Sequence, residues 1–436
     1  MQMKRIFLAC SFTWNNKGDA ALLMAAAQAL RASLGGVKLS FASFTPELDA
    51  ERYQERVVRM PLDPSGYPSR LIHLTGAGSP VLLRMSVGFI LLMFKGWLRV
   101  RAVLPKNFAY RLLGPVAPTA REILDSDVVI ALPGGYLQAT TWRDDYWLFH
   151  WLTLSMAQAV GKPVIIYAQS IGPFAGRHSR WAAALLRKSD VVSVREEFSL
   201  QRLKGYGVAQ ERTVLVPDAA FGLEDDGRGS REIASLAPAL DAQRQPWVGV
   251  SVREHHFPAE KDPRASMEKY LAEVARAADR MIELGNGTVF FVPQCIRNGG
   301  RDVEVSHAVV KRMQHAQHAC VVEDDLSPLG LQVLYSRFEL LIGTRMHANI
   351  LTLCAGTPVV AIAYERKTNG IMKMLGLDDH VVNIEDVEGR LLPLVEKVFA
   401  SRQAIKAHLA KTVPSMRARA QATPAVLLAK SPSLAA

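Results

Sequence analysis

The chain has few cysteines and no long hydrophobic run. The first absence argues against a disulfide-stabilised or zinc-binding protein, and the second argues against a secretory signal. Only four of its 436 residues are cysteine, without the paired spacing of a disulfide framework or a zinc site. Residues 1–12 are too short an apolar run for a secretory signal and lead directly into a polar turn. We therefore expect a cytoplasmic protein with free thiols, and the pattern requires neither a metal nor a cofactor.

Acidic residues are fewer than basic ones, and this excess of positive charge indicates which partners the chain can bind. Against 41 Asp and Glu stand 52 Lys and Arg, a formal net charge of +11. Such a balance favours anionic partners, which are phosphorylated substrates, nucleic acid or an acidic membrane face. Since the sequence shows no recognition-helix pattern, zinc spacing or RNP-like aromatic strand, we expect no nucleic acid partner.

The longest apolar stretch lies within residues 80–108. Its charge-free part, residues 85–94, has about half the ~20 residues that a membrane-spanning helix needs. Basic and aromatic side chains border it: Arg84, Lys95, Trp97, Arg99 and Arg101. We favour a helix or hairpin packed on the N-terminal domain, because short apolar runs are usually core. The alternative is a basic helix in the membrane interface, which would give peripheral association with the cytoplasmic face of the inner membrane.

Length and strand spacing predict two domains of the α/β class. Apolar strands that end in turn residues alternate with helical stretches, which is typical of a parallel, doubly wound sheet. The polar residues 224–245 are the predicted linker. The predicted parts are residues 1–223, with a basic apolar insertion near 80–108, residues 246–385, and residues 386–436, a C-terminal helix and a tail that frays after Val413. We expect two Rossmann-like domains facing a cleft, a glycosyltransferase-B-like fold.

Residues 338–367 carry the most informative pattern. It predicts a buried strand at 340–342, a turn at Gly343 and Thr344, a helix over 346–353 and a second strand over 359–364. Arg345 and His347 then lie at the start of the helix, where unpaired N–H groups and the helix dipole favour an anion. An arginine adds a bidentate clamp, and a histidine adds a proton donor near neutral pH. Alternatively, both side chains simply pair with surface carboxylates.

Other motifs stand at the ends of predicted strands or the starts of helices and form an ordered series. The series comprises Asn16, Gly18, Asp19 and Ala21; Gly134, Gly135 and Gln138; residues 169–173; Ser193, Val194, Arg195, Glu196 and Ser199; Asp218 and Phe221; residues 345–348; and Tyr364 with Lys367. By this series, which runs over residues 6–377, the chain resembles the polysaccharide pyruvyl transferase family. It departs from the family pattern at Ala20, where an acidic residue is usual, and residues 53–121 carry none of the motifs.

The resemblance implies a reaction and its substrates. Family members of this kind transfer the pyruvyl unit of phosphoenolpyruvate to sugar hydroxyls, usually as a cyclic ketal, with release of phosphate. The implied partners are phosphoenolpyruvate and a glycan acceptor, and whether the acceptor is lipid-linked stays open. The resemblance assigns the donor to the C-terminal domain and the acceptor to the N-terminal domain.

The resemblance also implies roles for individual residues. Arg195 and Arg345 would hold the phosphate and carboxylate of the donor. His347 would protonate the methylene carbon as general acid. Lys367 would neutralise the departing phosphate. Asp19 is either a base for the acceptor hydroxyl or a helix N-cap.

Five further residues complete the predicted site. Gly134 and Gly135 permit close approach of a ligand to the backbone, or they serve only as turn glycines. Gln138 belongs to the same motif. Arg253 is either a second anion contact or a salt-bridge partner of the neighbouring glutamate. Gln294 is predicted to lie at the rim of the site.

Two other functions stay open at this point. The same fold suits a sugar-nucleotide-dependent glycosyltransferase, which would use the helix start at Arg345 for a nucleotide diphosphate. The basic apolar segment and the positive charge also suit a non-catalytic membrane-surface subunit of a polysaccharide assembly complex. Phosphate release from phosphoenolpyruvate would separate these functions.

Overall fold

The computed structural model describes residues 5–10, 13–61, 80–101, 103–141, 144, 146–296 and 301–435. The chain divides into two compact units. Unit 1 consists of Met1–Trp14, Leu22–Ala219 and Ala420–Ala436, and unit 2 consists of Asn15–Ala21 and Ala220–Arg419. The first turn of the first helix therefore groups with unit 2, although the rest of that helix groups with unit 1.

Unit 1 contains a parallel sheet flanked by helices. Its strands are β1 Arg5–Ala9, β2 Lys38–Ser43, β3 Arg56–Arg59, β4 Val128–Ala131, β5 Gly134–Ala139, β6 Val164–Phe174, β7 Val191–Val194 and β8 Thr213–Leu215. They follow the order β3-β2-β1-β4-β6-β7-β8, with β5 paired to β6. The helices are α1 Lys17–Leu34, α2 Pro46–Tyr53, α3 Pro80–Val100, α4 Lys106–Arg111, α5 Ala117–Asp125, α6 Trp147–Ala159, α7 His178–Lys188 and α8 Glu197–Gly205.

Unit 2 contains a second parallel sheet. Its strands are β9 Trp247–Ser251, β10 Thr288–Phe291, β11 Ala319–Val321, β12 Phe338–Gly343, β13 Val359–Ala363 and β14 Val381–Asn383, in the order β11-β10-β9-β12-β13-β14. The helices are α9 Arg228–Asp241, α10 Pro263–Gly285, α11 Asp302–Val310, α12 Pro328–Ser336, α13 Met346–Cys354, α14 Arg366–Met374, α15 Leu391–Ala400, α16 Arg402–Lys430 and α17 Pro432–Ala435. The last part of α16 and all of α17 group with unit 1.

The predicted α/β class with two parallel sheets is confirmed. The central strands read as nearly continuous apolar runs because helices cover both faces of a parallel sheet. All four residues of β4 and all five residues of β13 are buried, for example. Since every strand pair is parallel, the carboxyl ends of the strands within each unit share one edge, which is where ligands bind in doubly wound sheets.

Most of the predicted linker, residues 224–245, is a helix that groups with unit 2. Residues 228–241 form α9, whose Ile233 and Leu240 are buried. The Asp225 carboxylate accepts hydrogen bonds from the backbone N–H groups of Gly229 at 2.8 Å and Ser230 at 3.0 Å. The polar residues that suggested a linker therefore include the cap that starts a helix of unit 2.

The predicted fraying after Val413 is also wrong. Helix α16 continues to Lys430, and Met416, Ala420 and Leu427 along it are buried. Their spacing of four and seven residues places them on one side of the helix. The Ala-rich composition suggested a loose tail, but small and apolar residues at helical spacing pack well against a neighbouring surface.

The segment of residues 80–108 contains helix α3, and one side of it is packed as expected. Val87, Phe94 and Trp97 are buried in the hydrophobic core of unit 1. Among the residues that the structure describes, none of the helices combines the length and the apolar character needed to cross a bilayer. Residues 62–79, part of the region 53–121 without motifs, lie outside the described residues.

Candidate functional site

The predicted β-α-β unit near the C-terminal end is confirmed and forms the core of the candidate site. Strand β12 ends at Gly343, and Asn349 in α13 donates a hydrogen bond from its side chain to the Gly343 carbonyl at 3.1 Å. A Cβ atom at Gly343 would lie 1.7 Å from the Asn349 side-chain oxygen, so only glycine fits there. This tight junction leaves Arg345 as the N-cap residue of α13 and His347 in its first turn.

Arg345 is held by a buried carboxylate. Its Nε and Nη2 donate to the two oxygens of Asp302 at 2.9 and 2.6 Å, and Asp302 is fully buried. Burial works against the charge of Arg345, but the Asp302 carboxylate outweighs it and raises the pKa of Arg345. A guanidinium has five N–H groups and this pair uses two, so donors remain on a side chain that is 18% exposed. The alternative prediction, that Arg345 pairs with a surface carboxylate, is wrong because its partner Asp302 is buried.

Asp302 also ties the arginine to the segment that follows β10. Its Oδ2 accepts from the backbone N–H groups of Gln294 at 3.1 Å and Cys295 at 3.0 Å. A carboxylate that accepts two backbone bonds and a bidentate arginine has its lone pairs well satisfied. Asp302 therefore fixes the direction of the Arg345 guanidinium.

The start of α1 is capped by Asn16, not by Asp19. The Asn16 side-chain oxygen accepts from the Gly18 N–H at 3.1 Å, and its carbonyl accepts from the Ala20 N–H at 3.0 Å. Asp19 consequently lies inside the first turn of the helix, and the N-cap interpretation of this residue is wrong. Its carboxylate still stands at the positive end of the helix dipole, where a negative charge is stabilised.

This first turn is anchored to the same segment that Asp302 holds. The Lys17 N–H donates to the Gln294 carbonyl at 2.9 Å, and Asn16 forms an antiparallel bridge with Cys295. The Lys17 ammonium is fully buried and forms an ion pair with Asp325. The beginning of α1 is thus a built part of unit 2.

The starts of α1 and α13 meet at Gly18 and His347. A Cβ atom placed on Gly18 would lie 2.2 Å from His347 Nδ1 and 2.8 Å from its Cγ. The imidazole ring therefore rests directly on the glycine, which explains a glycine in the motif. Because two helix N-termini converge here, their dipoles together favour an anion.

Four charged groups influence the buried thiol of Cys295. Burial is the main cause that raises the pKa of Cys295 to about 11. The positive charges of Arg345 and Arg253 act to lower it, and the negative charges of Asp302 and Asp19 act to raise it. These four predicted or newly found residues therefore belong to one electrostatic neighbourhood.

Arg253 and Lys367 both lie near the ring of Tyr364. The guanidinium carbon of Arg253 is 4.1 Å from the ring centroid, a cation–π distance, and Lys367 Nζ is 6.0 Å from it. Lys367 is 18% exposed and pairs with Glu365 at 2.7 Å. Two of the predicted cationic residues thus share one aromatic side chain.

Two expectations near this cluster are corrected. Arg253 does not pair with the Glu254 carboxylate: it donates to the Glu254 backbone carbonyl at 3.0 Å, and the carboxylate accepts from Arg301 at 3.3 Å. Gln294 is 2% exposed and is not at a rim, because its side-chain amide donates to the Tyr335 hydroxyl at 2.7 Å. Gln294 contributes to the site through its backbone.

In unit 1, Arg195 lies in a closed ionic network. The guanidinium donates to Asp218 at 2.6 Å, to Glu196 at 3.1 Å and to the Ser170 hydroxyl at 3.0 Å. Arg195 and both carboxylates are at most 1% exposed. Burial opposes the charge of Arg195, but Asp218 and Glu196 outweigh it and raise its pKa. Several motif residues of unit 1 therefore build this network.

The remaining predicted residues of unit 1 lie on β5 beside this network. Gly134 and Gly135 begin the strand instead of forming a free turn. A Cβ atom on Gly134 would lie 2.2 Å from the ring of Tyr136, and one on Gly135 would lie 3.8 Å from Arg195 Nη2. Gln138 is exposed. The structure therefore brings Gly135 next to Arg195, while Gln138 faces solvent.

A cavity of about 520 Å³ in unit 1 is not at these strand ends. It is bordered by the beginning of β1 and β2, and oppositely charged pairs line it, among them Arg31 with Glu55 and Arg56 with Glu122. Ligands of doubly wound sheets bind at the carboxyl ends of the strands. The motif residues are therefore the better candidate site.

The residues that sequence reasoning missed are mainly the carboxylates that hold the cations. Lys17 occupies an unspecified position of the first motif, and Asp325 and Asp302 belong to none. Asp302 is the first residue of helix α11. Acidic residues are common at this position because the helix dipole stabilises them, so nothing in the sequence assigned Asp302 to the site. The only available signal was the general rule that a buried cation needs a partner.

Comparison with known proteins agrees with the motif series. The model of the polysaccharide pyruvyl transferase family matches residues 16–366. The amylovoran biosynthesis protein AmsJ of Erwinia amylovora is 27% identical over 264 residues. That match covers 59% of this chain and 62% of AmsJ, which is less than two thirds of the relative's length.

Solved structures with a similar fold come from proteins of low sequence identity. Anabaena HepE in complex with UDP-glucose matches with a TM-score of 0.55 and 14% identity, over 99% of this chain and 98% of HepE. UDP-GlcNAc 2-epimerase of Neisseria meningitidis, bound to UDP-GlcNAc, matches with a TM-score of 0.60 and 10% identity, over 99% and 100% of the two chains. These likenesses concern the fold. Since the family match extends over residues 16–366 and includes both helix starts described above, the chain belongs to the polysaccharide pyruvyl transferase family.

Proposed function

We propose that the chain transfers the pyruvyl unit of phosphoenolpyruvate to sugar hydroxyls of an exopolysaccharide or cell-surface glycan precursor. Membership of the family supports a transferase, and the name of AmsJ links one relative to the biosynthesis of an exopolysaccharide. The product would be a pyruvate ketal, and phosphate would be released. Phosphoenolpyruvate is a substrate here, and the proposed chemistry needs no further cofactor.

One observation carries the proposal: two helix N-termini meet at Gly18 and His347, beside a partly exposed arginine. Phosphoenolpyruvate carries a phosphate and a carboxylate, so it needs a site rich in N–H donors and cationic groups. Asp19, Arg253, Arg345 and His347 are all residues of unit 2. This supports the assignment of the donor to unit 2, and we assign the acceptor to unit 1, whose exposed Gln138 is available to a sugar.

The proposed reaction begins with proton transfer to carbon and ends with release of phosphate. His347 delivers a proton to the methylene carbon of phosphoenolpyruvate, which becomes the methyl group and leaves C2 electrophilic. One sugar hydroxyl attacks C2, the C2–O bond to phosphate breaks, and a second hydroxyl closes the ketal. The proton of one hydroxyl passes by way of Asp19 to His347 and restores the acid, and the proton of the other leaves with phosphate. Arg345 holds the donor, Lys367 neutralises the departing phosphate, and Asp19 accepts a hydroxyl proton.

Arg195 is not assigned to donor binding in this proposal, although its motif suggested that role. A guanidinium that is 1% exposed and already bound to two carboxylates has little capacity left for a substrate phosphate. We propose that it positions Gly135 and the beginning of β5 instead of contacting the donor.

The competing function is a sugar-nucleotide-dependent glycosyltransferase. It draws on the fold likeness to proteins solved with UDP-sugars, at 10–14% identity. The discriminating experiment compares thermal unfolding of the protein with phosphoenolpyruvate, UDP-glucose and UDP-GlcNAc. A ligand at ~100 times its dissociation constant adds about 2.7 kcal/mol to the stability. We expect stabilisation by phosphoenolpyruvate alone, and stabilisation only by a UDP-sugar would reverse the assignment.

The catalytic part is tested with His347→Gln. This change keeps polarity and approximate size but cannot deliver a proton to carbon, so phosphate release in the presence of acceptor sugars should fall by roughly 10²–10⁴. Binding of phosphoenolpyruvate should stay within a few-fold. The matched control is His256→Gln, an exposed histidine of the same unit, which should keep wild-type turnover. Loss of phosphoenolpyruvate binding in a folded His347→Gln protein would make the histidine a ligand clamp.

A further inference from the structure

Helix α3 and the segment that follows it, up to Leu112, expose an unusual amount of apolar surface. Among the described residues, twelve large hydrophobic side chains are exposed, and eight of them lie between Met85 and Leu112. The most exposed are Val103 at 81%, Leu92 at 67% and Met85 at 65%. Single exposed apolar residues are ordinary, but a concentration of this kind in one short segment indicates an interaction surface.

The exposed residues of α3 share one side of the helix. Met85, Phe89, Met93 and Val100 follow one another at intervals of four or seven residues, and Leu92 lies three residues after Phe89, which brings all five onto one stripe. Val87, Phe94 and Trp97 lie on the opposite side and are buried in the core of unit 1. The helix is therefore apolar on both sides, although the core uses only one of them.

The charged residues in α3 and on either side of it in the sequence have a single sign. The sequence contains no acidic residue between Asp63 and Glu122, and it contains eight basic ones there: Arg70, Arg84, Lys95, Arg99, Arg101, Lys106, Arg111 and Arg121. Lys95 and Arg99 are exposed on α3, and Arg101 is exposed just after it. At a spacing of four residues, Lys95 and Arg99 border one edge of the apolar stripe.

We propose that this stripe docks on an anionic lipid surface, with α3 lying in the plane of the membrane interface. The apolar side chains would enter the boundary between headgroups and acyl chains, and the basic side chains would contact the anionic headgroups. An anionic bilayer can accommodate both the exposed apolar side chains and the basic side chains beside them. A second copy of this chain would bring the basic residues beside the two apolar stripes face to face, which like-charge repulsion opposes.

This proposal does not rest on the pyruvyl transfer proposed above. Phosphoenolpyruvate binding depends on residues of unit 2, whereas α3 belongs to unit 1. Either proposal can therefore fail while the other stands. If both hold, the enzyme is kept at the membrane surface, where an acceptor carried on a lipid would be presented.

The test is co-sedimentation of the full chain with vesicles. Phosphatidylcholine vesicles are compared with vesicles of phosphatidylcholine and phosphatidylglycerol, at low and high salt. We expect binding to the anionic vesicles, little binding to the neutral ones, and release by high salt without detergent. Equal binding to both vesicles, or none to either, would overturn the proposal.

Two variants separate the apolar and the electrostatic contributions. The triple variant Met85→Gln, Phe89→Gln and Leu92→Gln should weaken binding to anionic vesicles by at least about tenfold, since it removes the inserting side chains. The double variant Lys95→Gln and Arg99→Gln should weaken it roughly thirty-fold at low salt, at about five- to sixfold per charge. All five side chains are exposed, so the melting temperature should stay unchanged.

Controls remove exposed apolar residues elsewhere. The double variant Leu284→Gln and Val426→Gln, at 45% and 44% exposure, should bind vesicles like the wild type. Equal loss of vesicle binding in this control would show non-specific adhesion and overturn the assignment to α3. Light scattering completes the test: a wild-type dimer that the triple variant converts to a monomer would assign the stripe to a second copy and not to lipid.

Discussion

Two arginines occupy equivalent places in the two units and have different environments. Arg195 follows β7 and precedes α8, and Arg345 follows β12 and precedes α13. Arg195 is 1% exposed and is shared by two buried carboxylates, Glu196 and Asp218. Arg345 is 18% exposed and has one buried partner, Asp302. The same local pattern of strand, arginine and helix has therefore produced a closed network in one unit and an open one in the other.

The difference between the two networks shows that the same motif of strand, arginine and helix does not by itself specify the role of its arginine. In the closed network two buried carboxylates share one guanidinium, and Glu196 also accepts from the hydroxyls of Ser170 and Ser199. In the open network the arginine is neutralised by one carboxylate, retains further N–H groups and lies within two residues of His347. We infer that Arg195 maintains the structure of unit 1, whereas Arg345 is available to a substrate.

The largest expected effect tests the closed network. Arg195→Met should lower the free energy of unfolding by about 3–5 kcal/mol, because the buried carboxylates of Glu196 and Asp218 lose the guanidinium that they share. Urea denaturation of purified protein measures it. Arg228→Met is the matched control, since Arg228 and its partner Asp226 are about half exposed and should contribute at most about 1 kcal/mol. A loss in Arg195→Met no larger than in this control would contradict the distinction between the two arginines.

The second prediction tests the open network through kinetics. Arg345→Lys keeps the charge but loses the planar fork, so the KM for phosphoenolpyruvate should rise roughly 10–100-fold, with a smaller change in kcat. Asp302→Asn should raise KM in the same direction, because the guanidinium loses the carboxylate that orients it.

A double variant separates the two roles of Arg345. If the arginine served only to neutralise Asp302, combining Arg345→Gln with Asp302→Asn would restore both stability and KM. We expect stability to recover in part and KM to stay high. Full recovery of both would make Arg345 a structural residue like Arg195.

The third prediction concerns the contact between the two helix starts. Gly18→Ala places a methyl group within 2.2 Å of His347 Nδ1, so the ring must move. We expect a destabilisation of about 1–3 kcal/mol from overpacking, reduced by up to about 1 kcal/mol of helix propensity, together with a fall in turnover. Gly205→Ala in α8 meets open space, so it should leave the stability unchanged or raise it by up to about 1 kcal/mol of helix propensity. Adding His347→Ala to Gly18→Ala should recover the stability, and failure to do so would indicate a different origin for the loss.

The smallest effect concerns a second closed environment in unit 1. His150 is fully buried among the rings of Phe44, Tyr136 and Tyr146, and burial lowers the pKa of His150 to about 3. Between pH 6.5 and 3 the unfolded chain therefore binds a proton that the folded chain does not, so stability falls with falling pH. His150→Phe should remove about 1 kcal/mol of the loss between pH 7 and 5.5, measured by urea denaturation. An unchanged pH dependence would show that the ring titrates freely in the folded state.

Much of the fold follows from local sequence patterns. Runs such as the apolar residues of β12 have one stable environment, a strand covered on both faces, and the Gly343 turn fixes where that strand ends. The start of α13 at Met346 and the position of His347 in its first turn follow directly. The predictions failed where composition was read instead of periodicity, as in α9 and the end of α16, since polar or small residues form helices when caps and packing partners exist.

The sequence by itself determined the two parallel sheets, the junctions that carry Arg195, Arg345 and His347, and the family. These depend on patterns only a few residues long. Only the tertiary structure decided which arginine is closed and which is open, because Asp302 is 43 residues from Arg345 and Asp218 is 23 residues from Arg195. It also brought Gly18 against His347 and left one side of α3 exposed. Burial and pairing are properties of the folded chain, and no local spacing records which distant carboxylate will reach a cation.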